Sequence, residues 1–446
     1  MLDLILVRTR NNPAERVKKN SDSGTFSGRR MPPWGIMSIA TYCRQRGCSV
    51  ELMDLFKPTF DGISVDTVTD MIISRNPRVV GISSMTNQWS EAMLLGDRLM
   101  QKSEITIVHG GVHPAALPEE ALKHGHIVVQ GEGEHYMHQI ISSKEIDLEN
   151  KILRGPILTE DEMDSIPFPT KKDLEETAFD FSLDAYFPVV TARGCPYRCV
   201  FCKDGLGLRS SKVRYHSVDY IIEYFEYIYK TYGFRKISIQ DDIFLSSGTR
   251  MEEMAIKLEK RNLKFEIECN VHANVVKPEH MNVMKRLGIR LVYLGIESGN
   301  NRILKNIRKN ITVERVKKAV HLLKKQGFYV AGLYMIGNIG ETVQTVNDTI
   351  RFAFSLPTDR AWFSFAAPYP GTPFFEMVPE YGRIIQPDFS KWNQVTIVYL
   401  PNDISEKEMK RLMIKAQVVR IMKKIRFTIF GRWMGVIKRR LSRLHD

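Results

Sequence analysis

Short apolar runs alternate with amphipathic stretches through the first third of the chain. The runs fall at residues 4–7, 49–53, 79–83, 105–109 and 127–130. Runs of this length between turn signals fit buried strands. Between them, residues 36–46 and 90–100 repeat apolar positions at helical spacing. Strands alternating with helices predict a parallel, doubly wound α/β sheet. Ligands of such sheets sit outside the carboxyl ends of the strands. Those ends read Ser83-Ser84-Met85-Thr86, His109-Gly110-Gly111 and Gly131-Glu132-Gly133-Glu134, and glycines there let a ligand approach the backbone.

Residues 146–186 are polar and acidic, carry Pro167 and Pro169, and read as a linker between domains. The alternation then resumes, with strands expected at 187–191, 236–240, 264–269, 291–295, 329–335 and 360–366, and helices such as 218–229 and 313–325. Six βα units predict a partial (β/α)6 barrel with its chemistry at the C-terminal strand ends. The expected organisation is therefore an α/β chain in four parts. Residues 1–145 form the doubly wound sheet, 146–186 the linker, 187–375 the barrel, and 376–446 a helical region ending in a basic tail.

Composition narrows the class. A chain of 446 residues exceeds one ordinary core, and 43% apolar with 26% charged residues is a globular balance. No run approaches the roughly 20 apolar residues that cross a bilayer, and the N-terminal apolar run is too short for a secretion signal, so a cytoplasmic location is expected. The formal net charge is +13. Much of it sits in the tail, and no basic stripe with interleaved aromatics appears elsewhere, so nucleic acid is not the expected partner. In the tail, Met422, Ile425, Ile429, Trp433, Ile437, Leu441 and Leu444 recur every three or four residues among Lys423, Lys424, Arg426, Arg432, Lys438, Arg439, Arg440 and Arg443. Such a helix either packs on the barrel or makes a peripheral contact with an anionic membrane.

The six cysteines are unevenly placed. Cys195, Cys199 and Cys202 form C-x3-C-x2-C, whereas Cys43, Cys48 and Cys269 are scattered. In a reducing compartment a tight group points to metal or redox chemistry. Three thiolates can hold three irons of a [4Fe–4S] cube and leave the fourth iron open. A tetrahedral zinc with His216 as fourth ligand is the alternative. Cys43 and Cys48 read as core residues. Cys269, beside Asn270 and His272, reads as a small buried hydrophobe, with a catalytic thiol as its alternative.

The motif Arg193-Gly194-Cys195-Pro196-Tyr197-Arg198-Cys199-Val200-Phe201-Cys202 closely resembles the radical S-adenosylmethionine (SAM) superfamily signature, and the likeness extends over residues 187–375. The resemblance implies reductive cleavage of SAM to methionine and a 5′-deoxyadenosyl radical, with the hard chemistry carried by the cofactors. It implies SAM contacts from Phe201 near the adenine, from Asp241 and Asp242 in ISIQDDIF, and from Glu297 and Ser298 in YLGIESGN. Helix capping is the plainer role for Asp242, Glu297 and Ser298. Gly337-Asn338-Ile339-Gly340-Glu341-Thr342 matches a family turn in which relatives carry Pro where this chain has Ile339. Pro368-Tyr369-Pro370-Gly371-Thr372-Pro373 looks like the family's PxPGT turn and reads as structural. Arg214 matches a frequent family position, as a backbone or phosphate contact or a solvated surface residue.

The first domain resembles the cobalamin-binding module that precedes many radical SAM domains. The matching strings are Pro32-Pro33-Trp34-Gly35-Ile36, Val80-Gly81-Ile82-Ser83-Ser84, Gly110-Gly111-Val112-His113-Pro114 and Gly131-Glu132-Gly133-Glu134. The implied cobalamin contacts are Ser83, Ser84, Met85, Thr86, Gly110, Gly111, Gly131, Glu132 and Glu134. The D-x-H-x-x-G string that supplies a cobalt-ligating histidine is absent, and His109, His113 and His135 stand in other contexts. The resemblance thus implies cobalamin with no protein histidine on cobalt, or a degenerate module that only shapes the pocket. Together the two likenesses imply a methyltransferase acting on an unactivated carbon or phosphorus centre, or an oxidative cyclase or rearrangement enzyme on the same scaffold. They also imply a small-molecule or lipid-like substrate and an external electron donor such as flavodoxin or ferredoxin. A methylthiotransferase would need a second three-cysteine site, which Cys43 and Cys48 do not supply.

Overall fold

A computed structural model describes residues 2–11, 31–143, 151–202, 212–244 and 247–442, with side chains as far as 426. The first sheet holds β1 (Leu2–Arg8), β2 (Val50–Asp54), β3 (Pro77–Ser83), β4 (Thr106–Gly110), β5 (Ile127–Gln130) and β6 (Lys151–Arg154). They lie in the order β2-β1-β3-β4-β5-β6, all parallel. The five expected strands are present to within two residues at either end. Period-two alternation sends Leu4 and Leu6 to one face and Ile5 and Val7 to the other. Both faces are covered by helices, as a parallel sheet requires. Met37, Ala40, Met137 and Ile140 cover the first, and Val68, Ile72, Leu95 and Leu99 cover the second.

The segment expected to be only a linker differs. Its residues 151–154 form β6, an edge strand with alternate positions exposed, and so without the continuous apolar run that marks the other strands. Capping boxes at Thr159/Glu162 and Thr170/Asp173 then start two short helices, Glu160–Asp164 and Lys171–Glu175. These bury Met163 and Leu174 in one apolar core that runs from the first sheet to the second.

The second sheet comprises β7 (Phe187–Val189), then, beyond the short ribbon strands β8 (Ala192–Arg193) and β9 (Arg214–Tyr215), β10 (Lys236–Ile239), β11 (Glu266–Val271), β12 (Ile289–Glu297), β13 (Tyr329–Ile336) and β14 (Arg360–Phe365). Its order, β14-β13-β12-β11-β10-β7, is parallel throughout and open, a partial barrel. Ile237, Ile239, Ile267, Val292 and Leu294 are fully buried. On the alternate face Ser238 donates to Glu268 at 2.6 Å and Tyr293 to the same carboxylate at 3.3 Å. One side of these strands is therefore polar, unlike an ordinary parallel sheet.

The C-terminal region closes over both domains. After the helix Pro373–Tyr381, β15 (Gly382–Ile384) pairs antiparallel with β16 (Tyr399–Pro401). Between them Phe389 reaches the first domain, its ring 5.0 Å from that of His113. The helix Glu406–Ser442 lies along β14 and the helix Val343–Ser355.

Candidate functional site

The cysteine segment leaves the sheet at the end of β7. Its base is fixed by Asp241, whose carboxylate accepts from Thr191 N at 2.6 Å, Thr191 Oγ1 at 2.5 Å and Ala192 N at 3.0 Å. Burial pushes the Asp241 carboxyl up to about 7 against these bonds. Expected to touch SAM, Asp241 is instead turned inward to shape the loop, and Asp242 lies exposed. Gly194, at φ +99, makes the left-handed step into the motif.

Two contacts then clamp the middle of the motif. Val200 N donates to Ile307 O at 3.1 Å, and Phe374 N donates to Val200 O at 3.0 Å. The second contact comes from the Pro/Gly turn, where Thr372 caps the helix Pro373–Tyr381, so that turn is structural as read. Tyr197 stacks on His272 with ring centroids 3.7 Å apart. Cys199 is buried, Cys195 and Cys202 are half-buried, and none of the three is in a disulfide. Burial pushes the Cys199 thiol up to about 11, while Lys309 pulls it the other way. Cys269 is buried in β11 and burial drives its thiol well up, which suits a small core residue.

Lys309 carried no signal in the sequence reading, yet it sits at the centre of the site. Its Nζ is 2.9 Å from Glu297 Oε1, with side chains 10% and 13% exposed, and lies 5.8 Å from the centre of the Phe201 ring. Burial disfavours the ammonium, but Glu297 and the thiols of Cys199 and Cys202 hold it above the ordinary lysine range. The backbone is arranged around the pair. Glu297 adopts φ +64 where β12 and β13 shift register. Arg308 at φ +52 and Asn310 at φ +55 flank the lysine, and His272 Nε2 meets Lys309 O at 3.0 Å. Three non-glycine residues in the left-handed region mark a site the fold over-determines. A Cβ on Gly295 would stand 2.8 Å from Glu297 Oε1 and 2.9 Å from Lys309 Nζ, so the glycine of GIESG is the floor beneath the pair. Ser298, expected to touch SAM, is buried with its Oγ 3.0 Å from Thr349 Oγ1. In the next turn Ile339 is fully buried, so the residue departing from the family pattern fills core.

The residues present fit an iron–sulfur cluster better than zinc. His216, the would-be fourth zinc ligand, has Nδ1 2.9 Å from Asp164 Oδ1 and its ring stacked on Tyr220 at 4.4 Å. Among the described residues no three metal-binding side chains converge on a single-ion site, whereas a cube spreads its thiolates over separate irons.

At the first sheet's strand ends, Ser83–Thr86 and Gly110–Gly111 adjoin. A Cβ on Gly111, at φ +95, would stand 2.6 Å from Ser84 O. Ser84 Oγ and both ring nitrogens of His113 are buried without a hydrogen-bond partner. Orphaned groups of this kind suit a polar ligand, and Met85, 58% exposed, adds an apolar surface. His109 is bonded to His124 O at 2.9 Å, and His135 lies 3.2 Å from Tyr42 Oη and 3.1 Å from Glu162. Gly131, at φ +90, makes the turn after β5. Glu132 and Glu134, expected to face cobalamin, are engaged otherwise. Glu132 grips Arg214 at 2.7 and 3.0 Å and Arg193 at 3.3 Å. Glu134 bonds Arg193 at 3.0 Å and Ser38 at 2.6 Å. Burial would raise the Glu132 carboxyl, but the two guanidiniums hold it below the usual carboxylate range. Arg214 is thus a buried interdomain partner and not a surface residue.

Comparison with known proteins agrees with this geometry. Residues 189–353 match the radical SAM superfamily and residues 25–141 match the B12 binding domain. An uncharacterized methyltransferase of Pyrococcus horikoshii is 27% identical over 404 residues, spanning 87% of each chain. The anaerobic magnesium-protoporphyrin IX monomethyl ester cyclase of Rubrivivax gelatinosus is 22% identical, over 87% of this chain and 73% of that protein. Among solved structures, the radical SAM methyltransferase TsrM from Kitasatospora setae superposes with a TM-score of 0.70 at 13% identity, covering 93% of this chain and 89% of that one. The chain belongs to the radical SAM enzymes, with a B12 binding domain ahead of the radical SAM domain.

Proposed function

We propose that this enzyme is a cobalamin-dependent methyltransferase acting on an unactivated carbon or phosphorus centre of a small molecule. The observation that carries the reading is adjacency. Arg193, two residues before Cys195, touches Ser38 and Glu134 of the first domain, so the cysteine loop abuts the B12 binding domain. Cys195, Cys199 and Cys202 would ligate three irons, leaving the fourth for SAM. When bound, the cluster supplies the electron that cleaves SAM, and the corrinoid supplies methyl-transfer chemistry. Lys309 and Glu297 present a fixed cation and anion beside the cysteines, which complements the carboxylate and ammonium of an amino acid. Phe201 offers an apolar face next to them. Ser238, Glu268 and Tyr293 line the polar side of the barrel strands, where they can orient a substrate. An external one-electron donor of the flavodoxin or ferredoxin kind completes the system.

A cyclase is the second reading, favoured by the likeness to the Rubrivivax gelatinosus protein. Anaerobic reconstitution with iron, sulfide, SAM and cobalamin, followed by mass spectrometry of products from cell extract, separates the two. Gain of one methylene unit supports methyl transfer. Loss of hydrogen supports cyclisation and overturns it.

The tail supports a finer reading of partners. None of the described helices is long and apolar enough to cross a membrane. The helix Glu406–Ser442 buries Met409, Leu412, Ala416 and Val419, while Ile414, Val418, Ile421, Met422 and Ile425 stand 46–65% exposed. At helical spacing these two sets lie on opposite faces. Lys410, Arg411, Lys415, Lys424 and Arg426 fall beside the exposed set in the sequence. An apolar outer face rimmed by cations complements an anionic membrane surface. The remaining tail positions, Ile429, Trp433, Ile437 and Leu441, lie where side chains are not described, and Leu444 lies outside the described residues.

A further inference from the structure

Two arginines bracket the cysteine loop. Arg193 ends β8 and Arg214 begins β9, and the antiparallel ribbon sets them directly opposite one another. The segment that carries all three cysteines of the motif therefore starts from this one pair, at Gly194. Like charges facing across a ribbon repel, so an anion between them stabilises the base of the loop. That anion comes from the other domain. Glu132 takes Arg214 in a two-pronged grip and also reaches Arg193, while Glu134 holds Arg193 from the far side. The remaining acceptor capacity is used as well, since Leu158 N donates to Glu132 Oε2 at 2.7 Å. Two guanidiniums and two carboxylates make a balanced set. Three of the four side chains are less than 10% exposed, and Arg193 is 19% exposed.

We infer that Glu132 and Glu134 are positioning residues for the iron–sulfur cluster and not corrinoid contacts. The turn after β5 of the first domain closes the base of the loop that carries the cluster ligands. A paired, forked guanidinium fixes direction as well as distance, so the grip sets the spacing of the two loop ends and, through Gly194, the placement of Cys195. The inference rests on the cluster assignment made above.

The test uses the full-length chain, anaerobically reconstituted, as parent, Glu132→Gln, Glu134→Gln and Arg214→Lys. Three quantities are read: the rate at which an iron chelator strips the cluster, the electron paramagnetic resonance spectrum of the reduced cluster, and cobalamin affinity by absorbance titration. Loss of groups that orient metal ligands costs about 10–100-fold in affinity. Glu132→Gln is accordingly expected to speed cluster loss at least about tenfold and to broaden the spectrum, with cobalamin affinity within about twofold of the parent. Arg214→Lys keeps the charge but loses the fork, and should fall between. Glu134→Gln, which leaves the two-pronged grip intact, gives a milder effect and an independent variant should Glu132→Gln fail to fold. Unchanged cluster retention in both glutamine variants would overturn the inference. So would a fall in cobalamin affinity with the cluster unaffected. A parent chain that takes up no iron would instead sink the cluster assignment.

Discussion

Single residues differ here in what they can be replaced by. In the proposed assignment Cys195, Cys199 and Cys202 would each supply one ligand to a cluster that needs all three, so alanine at any of them is expected to abolish SAM cleavage. Production of 5′-deoxyadenosine by the triple alanine variant would refute the cluster reading. Lys309 is a different case, because its loss leaves Glu297 buried and unpaired. Removing one partner of a buried ion pair costs about 3–5 kcal/mol, so Lys309→Met should lower unfolding free energy by that order in a denaturant titration. Adding Glu297→Gln should restore part of it. The GIESG string made Glu297 readable from sequence. Lys309 was not readable, because its role depends on the chain turning back twelve positions later through left-handed residues that carry no glycine signal. Ser298 shows the converse: the matching motif named it, but its hydroxyl is consumed by Thr349.

At the scale of elements, the strands of the two large sheets were legible because each buries a short apolar run, and β6 escaped because an edge strand buries only every other residue; the short strands β8, β9 and β15 carry no such run. The polar alternation of β10 and β11 was also present in the sequence, as Ser238, Glu268 and Asn270 between apolar neighbours, and it marks the polar side of the barrel strands. The last helix shows how periodicity can mislead. The sequence offered barrel packing and membrane contact as alternatives, and the helix has an apolar face available for each. Charge on the exposed rim is expected to bring the full chain to vesicles containing anionic lipid in a flotation assay at low salt. Val418→Asp with Ile421→Asp should abolish that, because both residues point away from the barrel. Flotation unchanged in the double variant, or equal on neutral vesicles, would reject the membrane contact. Self-association lost with the same variant would make a second copy the occupant of this face.

For the whole molecule, the first domain couples stability to pH through His109 and His113. Burial lowers both imidazoles from the ordinary 6.5 to about 4. As pH falls below 6.5 the unfolded chain takes up these protons and the folded chain does not, so stability is full above that value and is lost down to about 4. At 1.36 kcal/mol per unit, each histidine accounts for about 3 kcal/mol across the window. Calorimetric melting temperature followed from pH 7 to 4.5 should fall less steeply for His113→Phe than for the parent. Phenylalanine keeps the ring between Trp89 and Phe389 and removes the titrating group; parallel slopes would show that His113 does not resist protonation. The same packing places Phe389, from the region after the barrel, against His113 of the first domain, so that region packs on both domains.

By itself the sequence determined the two α/β units, eleven of the twelve strands of the two large sheets to within a residue or two, and the cysteine spacing that limits the metal chemistry. These follow from local information, since burial pattern, turn residues and ligand spacing are all written within a few positions of one another. Only the tertiary structure decided which partner each polar group meets. A carboxylate after a parallel strand has the same sequence signature whether it faces a cofactor or an arginine. The arginine partners of Glu132 and Glu134 come from the docking of residues 193 and 214 onto a turn some sixty to eighty positions earlier in the chain.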